Sequence, residues 1–247
     1  MRILLINPNT LASVTDLVAA HVRRVAGTEA EFVPVTGRFG ARYIASRAAS
    51  GIAGHAALDA LAEHVDGCDA VYLACFGDPG LAALKEISPV PVVGMAEASC
   101  RVAGKDRRRF AIVTGGVLWA PMLTEFVASL GLADRFAGVR TITPTGDRIA
   151  DDPDAALADL ATACLQCVVE DGAETVILGG AALAGLAGRI QGAVPVPVLC
   201  SVAVGTLAVL AAARSGGGSY GAPAVDSVGL GPALARRLAG ASHASHD

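Results

Sequence analysis

The chain carries an internal repeat, and this repeat constrains its fold more than any other feature. Three short apolar segments recur in the same order in the second part of the chain. The matched pairs are Arg2–Asn7 with Arg109–Thr114, Asp69–Cys75 with Glu174–Gly180, and Val90–Gly94 with Val196–Cys200. Segments that recur in order predict two similar halves that face each other across one site. In the second pair, Gly180 stands where the repeat would place a second cysteine like Cys75.

Short β-branched runs alternate along the chain with longer alanine- and leucine-rich stretches of helical period. This alternation predicts an α/β fold with parallel sheets. The predicted strands are residues 2–6, 30–35, 70–75, 90–94, 109–114, 139–142, 175–179 and 196–200. The predicted helices are residues 11–26, 51–65, 79–86, 96–103, 120–130, 154–170, 183–190 and 203–213. A glycine-rich loop at 216–218 and a disordered tail at 241–247 complete the prediction.

Composition excludes several classes of function. The net charge is −4 and there is no long basic stripe, which argues against nucleic-acid binding. Prolines interrupt the apolar stretch 194–213, so it is predicted to be a buried strand and helix and not a membrane span. No secretory signal is evident, so the six cysteines are expected to be reduced thiols in a cytoplasmic protein. The oligomeric state stays open, although the 53% hydrophobic content favours a homo-oligomer.

The loops that follow the predicted strands point to one small-molecule site. In an open parallel sheet, ligands bind where loops leave the carboxyl ends of the strands. Here these ends are small, polar or glycine-rich, and each half supplies two of them: Asn7–Thr10, Cys75–Gly77, Thr114–Gly116 and Gly179–Ala181. Such loops let a ligand approach the backbone closely and provide amide donors. We therefore expect a single cleft between the two halves.

Cys75 is the strongest candidate for a catalytic residue. A thiol can act as an acid or a base, and amide donors or a helix N-terminus can bring its pKa near neutrality. A helix is predicted to begin near Pro79, so we expect a stabilised thiolate at Cys75. A buried structural cysteine is the alternative. Cys200 ends another predicted strand and is either a substitute acid in the same cleft or a core residue.

The other motifs indicate no separate chemistry. Cys164 and Cys167 form a C-x-x-C, but late in a predicted helix, where the low pKa of a redox motif is not expected. Gly217–Gly221 matches G-x-S-x-G without a preceding strand, so a nucleophile elbow is rejected. The five histidines are scattered, and no phosphate-binding or dinucleotide-binding loop is present. A mechanism without metal or cofactor is favoured.

Six motifs together resemble those of hydantoin and allantoin racemases, in the aspartate/glutamate racemase superfamily. They are Arg2–Thr10, Tyr43–Arg47, Ala53–His55, Ala74–Gly80, Gly94–Glu97 and Trp119–Met122. The resemblance implies two similar Rossmann-like domains with parallel sheets, related by pseudo-twofold symmetry, with the active site in the cleft between them and no cofactor. The first domain would comprise residues 1–96 and 206–247, with the last helices packed on it, and the second residues 97–205.

The resemblance also implies a mechanism. Two opposed cysteines in this family remove a proton from an acidic carbon beside a carbonyl and deliver another to the opposite face. Cys75 matches the first cysteine, whereas Gly180 replaces the second. The donors to a hydantoin-type substrate would come from Asn9, Thr114 and the backbone of four further residues, namely Phe76, Gly77, Gly180 and Ala181.

The glycine at position 180 leaves two alternatives open. Arylmalonate decarboxylases, a related branch, work with one cysteine in the second half and a glycine opposite it, which is the reverse of the arrangement here. The other alternative is a noncatalytic relative that kept the cleft and binds a ligand. Deuterium uptake without inversion, CO₂ release from a disubstituted malonate, or binding without turnover would distinguish these functions.

Overall fold

The computed structural model describes residues 1–143, 145–216 and 224–240, and its strands form two four-stranded parallel sheets. The strands are β1 (Arg2–Asn7), β2 (Glu31–Thr36), β3 (Ala70–Leu73), β4 (Val92–Gly94), β5 (Phe110–Gly115), β6 (Phe136–Ile142), β7 (Thr175–Leu178) and β8 (Val198–Cys200). The helices are α1 (Ala12–Ala26), α2 (Arg47–His64), α3 (Leu81–Ile87), α4 (Met95–Ala103), α5 (Trp119–Ser129), α6 (Gly146–Asp151), α7 (Pro153–Val169), α8 (Leu186–Ile190), α9 (Ser201–Ser215) and α10 (Pro232–Leu238). Every predicted strand and helix is present, while α6 and α10 are too short for their periodicity to have been recognised.

The two sheets have the same topology, which follows from the sequence repeat. The strand orders are β2-β1-β3-β4 and β6-β5-β7-β8, and each pairing is parallel. Strand β1 is buried from Ile3 onward and β5 along its whole length, as expected where helices cover both faces of a parallel sheet. The prediction of two similar α/β halves with parallel sheets is confirmed.

The last helices return to elements of the first half of the molecule. Helix α9 begins directly after β8 and packs against α1, α4, β3 and β4. The hydroxyl of Tyr72 in β3 donates a hydrogen bond to the carbonyl oxygen of Val202 at 3.2 Å. Helix α10 packs against α2. The apolar stretch 194–213 is thus mostly β8 and α9, and no helix in the described ranges is long and apolar enough to cross a membrane.

Polar caps set where two of the longer helices begin. Helix α2 starts earlier than the predicted residue 51 because the Ser46 hydroxyl accepts a hydrogen bond from the Ala49 amide at 3.1 Å. Helix α7 starts at Pro153, and the Asp152 carboxylate accepts from the Ala155 amide at 3.2 Å. The G-x-S-x-G match at 217–221 and the tail at 241–247 lie outside the described residues.

Candidate active site

The carboxyl ends of the central strands meet around a cavity of about 60 Å³ that both halves line. The first half contributes Asn7, Asn9, Val14, Tyr43, Ile44, Ala74, Cys75 and Phe76, and the second contributes Thr114, Gly115, Trp119, Gly179, Gly180, Ala181, Ala182 and Leu183. The structure therefore brings all but one of the predicted site residues together. Gly77 is the exception, because it lies in a neighbouring cleft against the ring of Trp119.

Asn9 offers its amide nitrogen to the cavity. Its Oδ1 accepts hydrogen bonds from Asn7 Nδ2 at 2.8 Å and from the Leu11 amide at 2.9 Å. Since both bonds use the oxygen, the NH₂ group is the part left to donate to a ligand. Asn7 is fixed in turn by Thr15, whose hydroxyl accepts from Asn7 Nδ2 at 2.9 Å. Asn7 was not predicted as a site residue, although it belongs to the same motif as Asn9.

Thr114 holds the repeat position of Asn7 in the second half. It lies near the end of β5, is 6% exposed and lines the cavity beside Gly115. The Tyr43 hydroxyl donates a hydrogen bond to the carbonyl oxygen of Gly115 at 3.0 Å, and this bond joins the two halves at the cavity. Asn9 and Thr114 thus provide neutral hydrogen-bonding groups from opposite halves.

Aromatic rings from each half cross towards the other and wall the cavity. A Cβ on Gly179 would lie 2.4 Å from a ring carbon of Phe76, so only a glycine lets Phe76 pack over the end of β7. A Cβ on Gly77 would likewise lie 2.6 Å from a ring carbon of Trp119. The two glycines therefore permit the close approach that encloses the site.

Cys75 is a protonated thiol in the substrate-free protein. Burial, with a smaller contribution from the negative charge of Asp78, raises the pKa of Cys75 to about 12. Helix α3 begins at Leu81, after the predicted start near Pro79. The prediction of a thiolate stabilised by a helix start near Pro79 is therefore wrong. The resting group is a proton donor.

Asp78 supports the loop that carries Cys75 but does not line the cavity. One carboxylate oxygen accepts a hydrogen bond from the Ala96 amide at 3.0 Å and the other from the Glu97 amide at 2.7 Å. These bonds cap α4. Burial nevertheless raises the pKa of Asp78 from 3.8 to about 7, because the two amides only partly offset the loss of water.

Gly180 brings no side chain to the cavity, and its backbone adopts a conformation that favours glycine. Its φ is 146°, and its amide donates a hydrogen bond to the Ser201 hydroxyl at 3.2 Å. A Cβ at this position would meet Leu183 Cγ at 3.6 Å and Thr114 Oγ1 at 3.9 Å, which are ordinary contacts. The second half therefore has room for a side chain here and leaves it empty.

The remaining cysteines lie away from the cavity. Cys200 is not among the cavity-lining residues, and its Sγ lies 3.6 Å from His21 Nε2, so the structure favours the core interpretation over the substitute acid. Burial, and Arg24 to a smaller extent, lower the pKa of His21.

Cys164 and Cys167 are buried within α7, where burial raises the pKa of each to about 12, contrary to a redox motif. Within the described ranges, no group of three or more histidine, cysteine or acidic side chains could hold a metal ion.

The cavity is electrically neutral. Among the residues that the structure describes, those lining the cavity include no aspartate, glutamate, lysine, arginine or histidine. A free carboxylate would lose its water there without gaining a cation, which is costly. A neutral ligand with carbonyl and N–H groups could satisfy its hydrogen bonds from Asn9, Thr114 and the backbone.

Fold and site together define an α/β protein of two similar halves with one small-molecule cavity between them. The family model described as Asp/Glu/Hydantoin racemase matches residues 3–209, so the chain belongs to this family of isomerases. It is 33% identical over 209 residues to a hydantoin racemase from a Pseudomonas species, with 83% of each chain covered.

Two solved structures are similar along most of the chain. The allantoin racemase from Pseudomonas fluorescens is 31% identical with a TM-score of 0.83, covering 87% of this chain and 92% of that one. The allantoin racemase from Klebsiella pneumoniae is 27% identical with a TM-score of 0.87, covering 95% and 98%. These likenesses agree with the family that the sequence motifs indicate.

Proposed function

We propose that this protein is a cofactor-independent enzyme that transfers a proton at an acidic carbon next to a carbonyl of a hydantoin-type molecule. The observation that carries the proposal is the neutral cavity with a single thiol, Cys75, at its wall. A hydantoin is neutral and presents carbonyl oxygens and N–H groups, so it needs hydrogen-bonding partners and no cation. The names of the hydantoin and allantoin racemases that the chain resembles support the same substrate class.

In this proposal, the first half supplies the acid/base and both halves supply hydrogen bonds to the substrate. Cys75 exchanges the proton on one face of the reacting carbon: its thiolate, the minor form in the resting protein, takes the proton, and the thiol so formed exchanges with solvent and returns a proton to the same face. Charge that develops on the carbonyl oxygen is met by Asn9 Nδ2, the Thr114 hydroxyl and the backbone around Phe76 and Ala181, which are neutral and already oriented. The Gly180 amide already donates to Ser201, so Gly180 contributes space more than a hydrogen bond. Gly77 acts indirectly, because its lack of a side chain leaves room for the ring of Trp119.

Because position 180 lacks a thiol, proton transfer should be confined to one face. A single acid/base returns its proton mostly to the face from which it came. The expected result is incorporation of solvent deuterium at the reacting carbon with little inversion of configuration.

Solvent-deuterium NMR on a panel of 5-substituted hydantoins, with chiral chromatography on the same samples, tests the proposal. Exchange that clearly exceeds inversion supports it. Inversion as fast as exchange would contradict the claim that the second acid/base is absent. Absence of both exchange and binding across the panel would contradict the substrate class.

A one-cysteine lyase is the second candidate, and the protonation state of Cys75 favours it. Protonating the enediolate that follows loss of CO₂ requires a thiol, which is the form that burial stabilises. The neutral cavity weighs against a malonate, which carries two carboxylates. Release of CO₂ from a disubstituted malonate, without exchange on hydantoins, would select the lyase, and binding without turnover would select a noncatalytic relative.

We also propose that the chain forms two domains. The first comprises residues 1–96 and 206–247, and the second comprises residues 97–205. The packing of α9 and α10 against elements of the first half supports it. A cytoplasmic location is a further proposal, supported by the six unpaired cysteines. A homo-oligomer remains an expectation from composition.

A further inference from the structure

Trp119 separates the cavity from a second, more open space, which we call the outer cleft. The outer cleft has a volume of about 370 Å³ and is lined by Arg47, Ser50, Gly77, Trp119, Met122, Glu125 and Phe126. Among the described residues, Trp119 alone lines both spaces. Its indole ring is therefore the partition between them.

The cavity as it stands is too small for a hydantoin, with or without a substituent. Its volume is about 60 Å³, whereas a buried cavity of roughly 150 Å³ is the size that takes up benzene. A hydantoin ring with its two carbonyl oxygens has more non-hydrogen atoms than benzene, so any hydantoin must extend past the present wall, and a substituent adds to the excess. The outer cleft is the adjoining space that could receive the excess.

Trp119 is buried, at 7% exposed, but the segment that leads to it is not. It is the first residue of α5, and the two residues before it are largely exposed, Val117 at 65% and Leu118 at 58%. Gly116, with a φ of 88°, begins this short segment after β5. On its other side the ring packs against the backbone of Gly77, where a Cβ would leave no room for it.

The outer cleft has an apolar wall and a polar rim. Met122 and Phe126 follow Trp119 at helical spacing, so the three side chains share one face of α5. The rim carries the Arg47–Glu125 ion pair, which joins α2 to α5 and leaves neither charge unpaired. An apolar or aromatic group fits this wall better than a charged one.

We propose that Trp119 is the specificity-determining residue of the site, and that the substituent on the reacting carbon displaces its indole and occupies the outer cleft. This inference rests on the proposed function and narrows its substrates to hydantoins with bulky apolar substituents. A small substituent displaces the indole of Trp119 less than a bulky one.

Substitution of Trp119 tests the inference by substrate preference. In Trp119→Ala the two spaces merge, so kcat/KM for exchange of 5-benzylhydantoin relative to 5-methylhydantoin should rise by about tenfold or more. Trp119→Phe should give a smaller rise. Leu118→Ala is the matched control, because Leu118 is the adjacent large apolar residue and lines neither space. A ratio that stays at the wild-type value in both Trp119 variants would overturn the inference.

Fluorescence provides a test that does not depend on turnover or on a substitution at Trp119. Trp119 is the only tryptophan in the chain, so intrinsic emission reports on this residue alone. In Cys75→Ser, saturation with 5-benzylhydantoin, confirmed by calorimetry, should shift the emission, and 5-methylhydantoin should shift it less. Bound benzylhydantoin with unchanged emission would contradict displacement of the ring.

The experiments test the proposed function and the role of Trp119 separately. Exchange on hydantoins with an unchanged benzyl-to-methyl ratio and unchanged emission contradicts only the role of Trp119. Absence of binding by every hydantoin contradicts the proposed function and the inference with it.

Discussion

The half that carries Cys75 and the half that carries Gly180 have the same strand order, yet their loops at the cavity are built differently. In the first half a thiol follows β3, and the carboxylate of Asp78 caps α4. In the second half a glycine follows β7 and Leu183 holds the repeat position of Asp78, so no carboxylate from that position caps α9. The difference therefore extends beyond the missing thiol to the loop around it.

This comparison separates proton transfer from substrate positioning. The buried carboxyl of Asp78 favours the protonated form of Cys75, so the first half is suited to hold a proton. The second half offers backbone and the hydroxyl of Thr114, which form hydrogen bonds but do not titrate near neutral pH. Two halves of similar fold can thus have different chemical roles because a few loop residues differ.

Replacing Cys75 should have the largest effect, because it removes the thiol from the half that transfers the proton. In Cys75→Ser we expect the rate of deuterium exchange, followed by NMR, to fall about 10²- to 10⁴-fold, the usual contribution of a general acid or base. Cys68→Ser is the matched control, since Cys68 is buried away from the cavity and donates to the His64 carbonyl oxygen at 3.5 Å. Full exchange activity in Cys75→Ser would show that another group carries the proton.

Gly180→Cys should make the two halves more alike and create inversion activity. The position has room for the side chain, whose Cβ would meet Leu183 and Thr114 only at ordinary contact distances. We expect inversion, measured by chiral chromatography, to rise by about tenfold or more over wild type, in the range of a single acid/base group.

The same substitution should also destabilise the protein. The φ of Gly180 is 146°, so a side chain there should cost about 1–3 kcal/mol of unfolding free energy, measured by denaturation with urea. Gly180→Ser carries the same strain without a thiol and serves as the control. Equal inversion by the serine and cysteine variants would show that a thiol at this position is not what the second half lacks.

The fold was largely predictable because it depends on local patterns. The repeat and the alternation of strands and helices predict both sheets, and the strand ends predict that Asn9, Cys75, Thr114 and Gly180 meet. The errors at element ends have local causes. Strand β6 begins at Phe136, earlier than the predicted residue 139, and its first residues pair irregularly with β5 and are only half-buried, so their pattern is weak.

The electrostatics and the enclosure of the site could not be predicted in the same way. The pKa of Cys75 depends on burial and on a carboxyl group that folds back onto the amides of Ala96 and Glu97, which are distant in sequence. The role of Trp119 depends on its approach to Gly77 across the two halves. Such contacts arise from packing between segments, and the periodicity within a segment does not predict them.

Asp78→Asn should have an intermediate effect, because it makes the first half less able to keep its thiol protonated. The negative charge of Asp78 raises the pKa of Cys75, so a neutral asparagine should lower it. Labelling of Cys75 by iodoacetamide, followed by mass spectrometry, should then rise at a lower pH than in wild type. An unchanged or upward-shifted labelling profile would exclude Asp78 as a cause of the raised pKa.

The pH dependence of stability gives a second measurement of the same charge. The pKa of Asp78 is raised from 3.8 to about 7 in the folded state, so its contribution to stability is complete below pH 4 and is lost as the pH rises to about 7. Asp78→Asn should therefore lose less unfolding free energy than wild type between pH 4 and pH 7. A larger loss in the variant would mean that the ionised carboxylate stabilises α4 more than burial destabilises it.

Ser201→Ala should have the smallest effect, because it changes the second half without touching the cavity. Ser201 is 1% exposed, and its hydroxyl accepts the hydrogen bond from the Gly180 amide. Its loss should lower the unfolding free energy by about 0.5–1.5 kcal/mol and change deuterium exchange only slightly. Ser99→Ala, which removes a buried serine bonded within α4, is the control. If exchange instead fell as far as in Cys75→Ser, the Gly180 loop would take part in proton transfer, and the division of roles between the halves would be wrong.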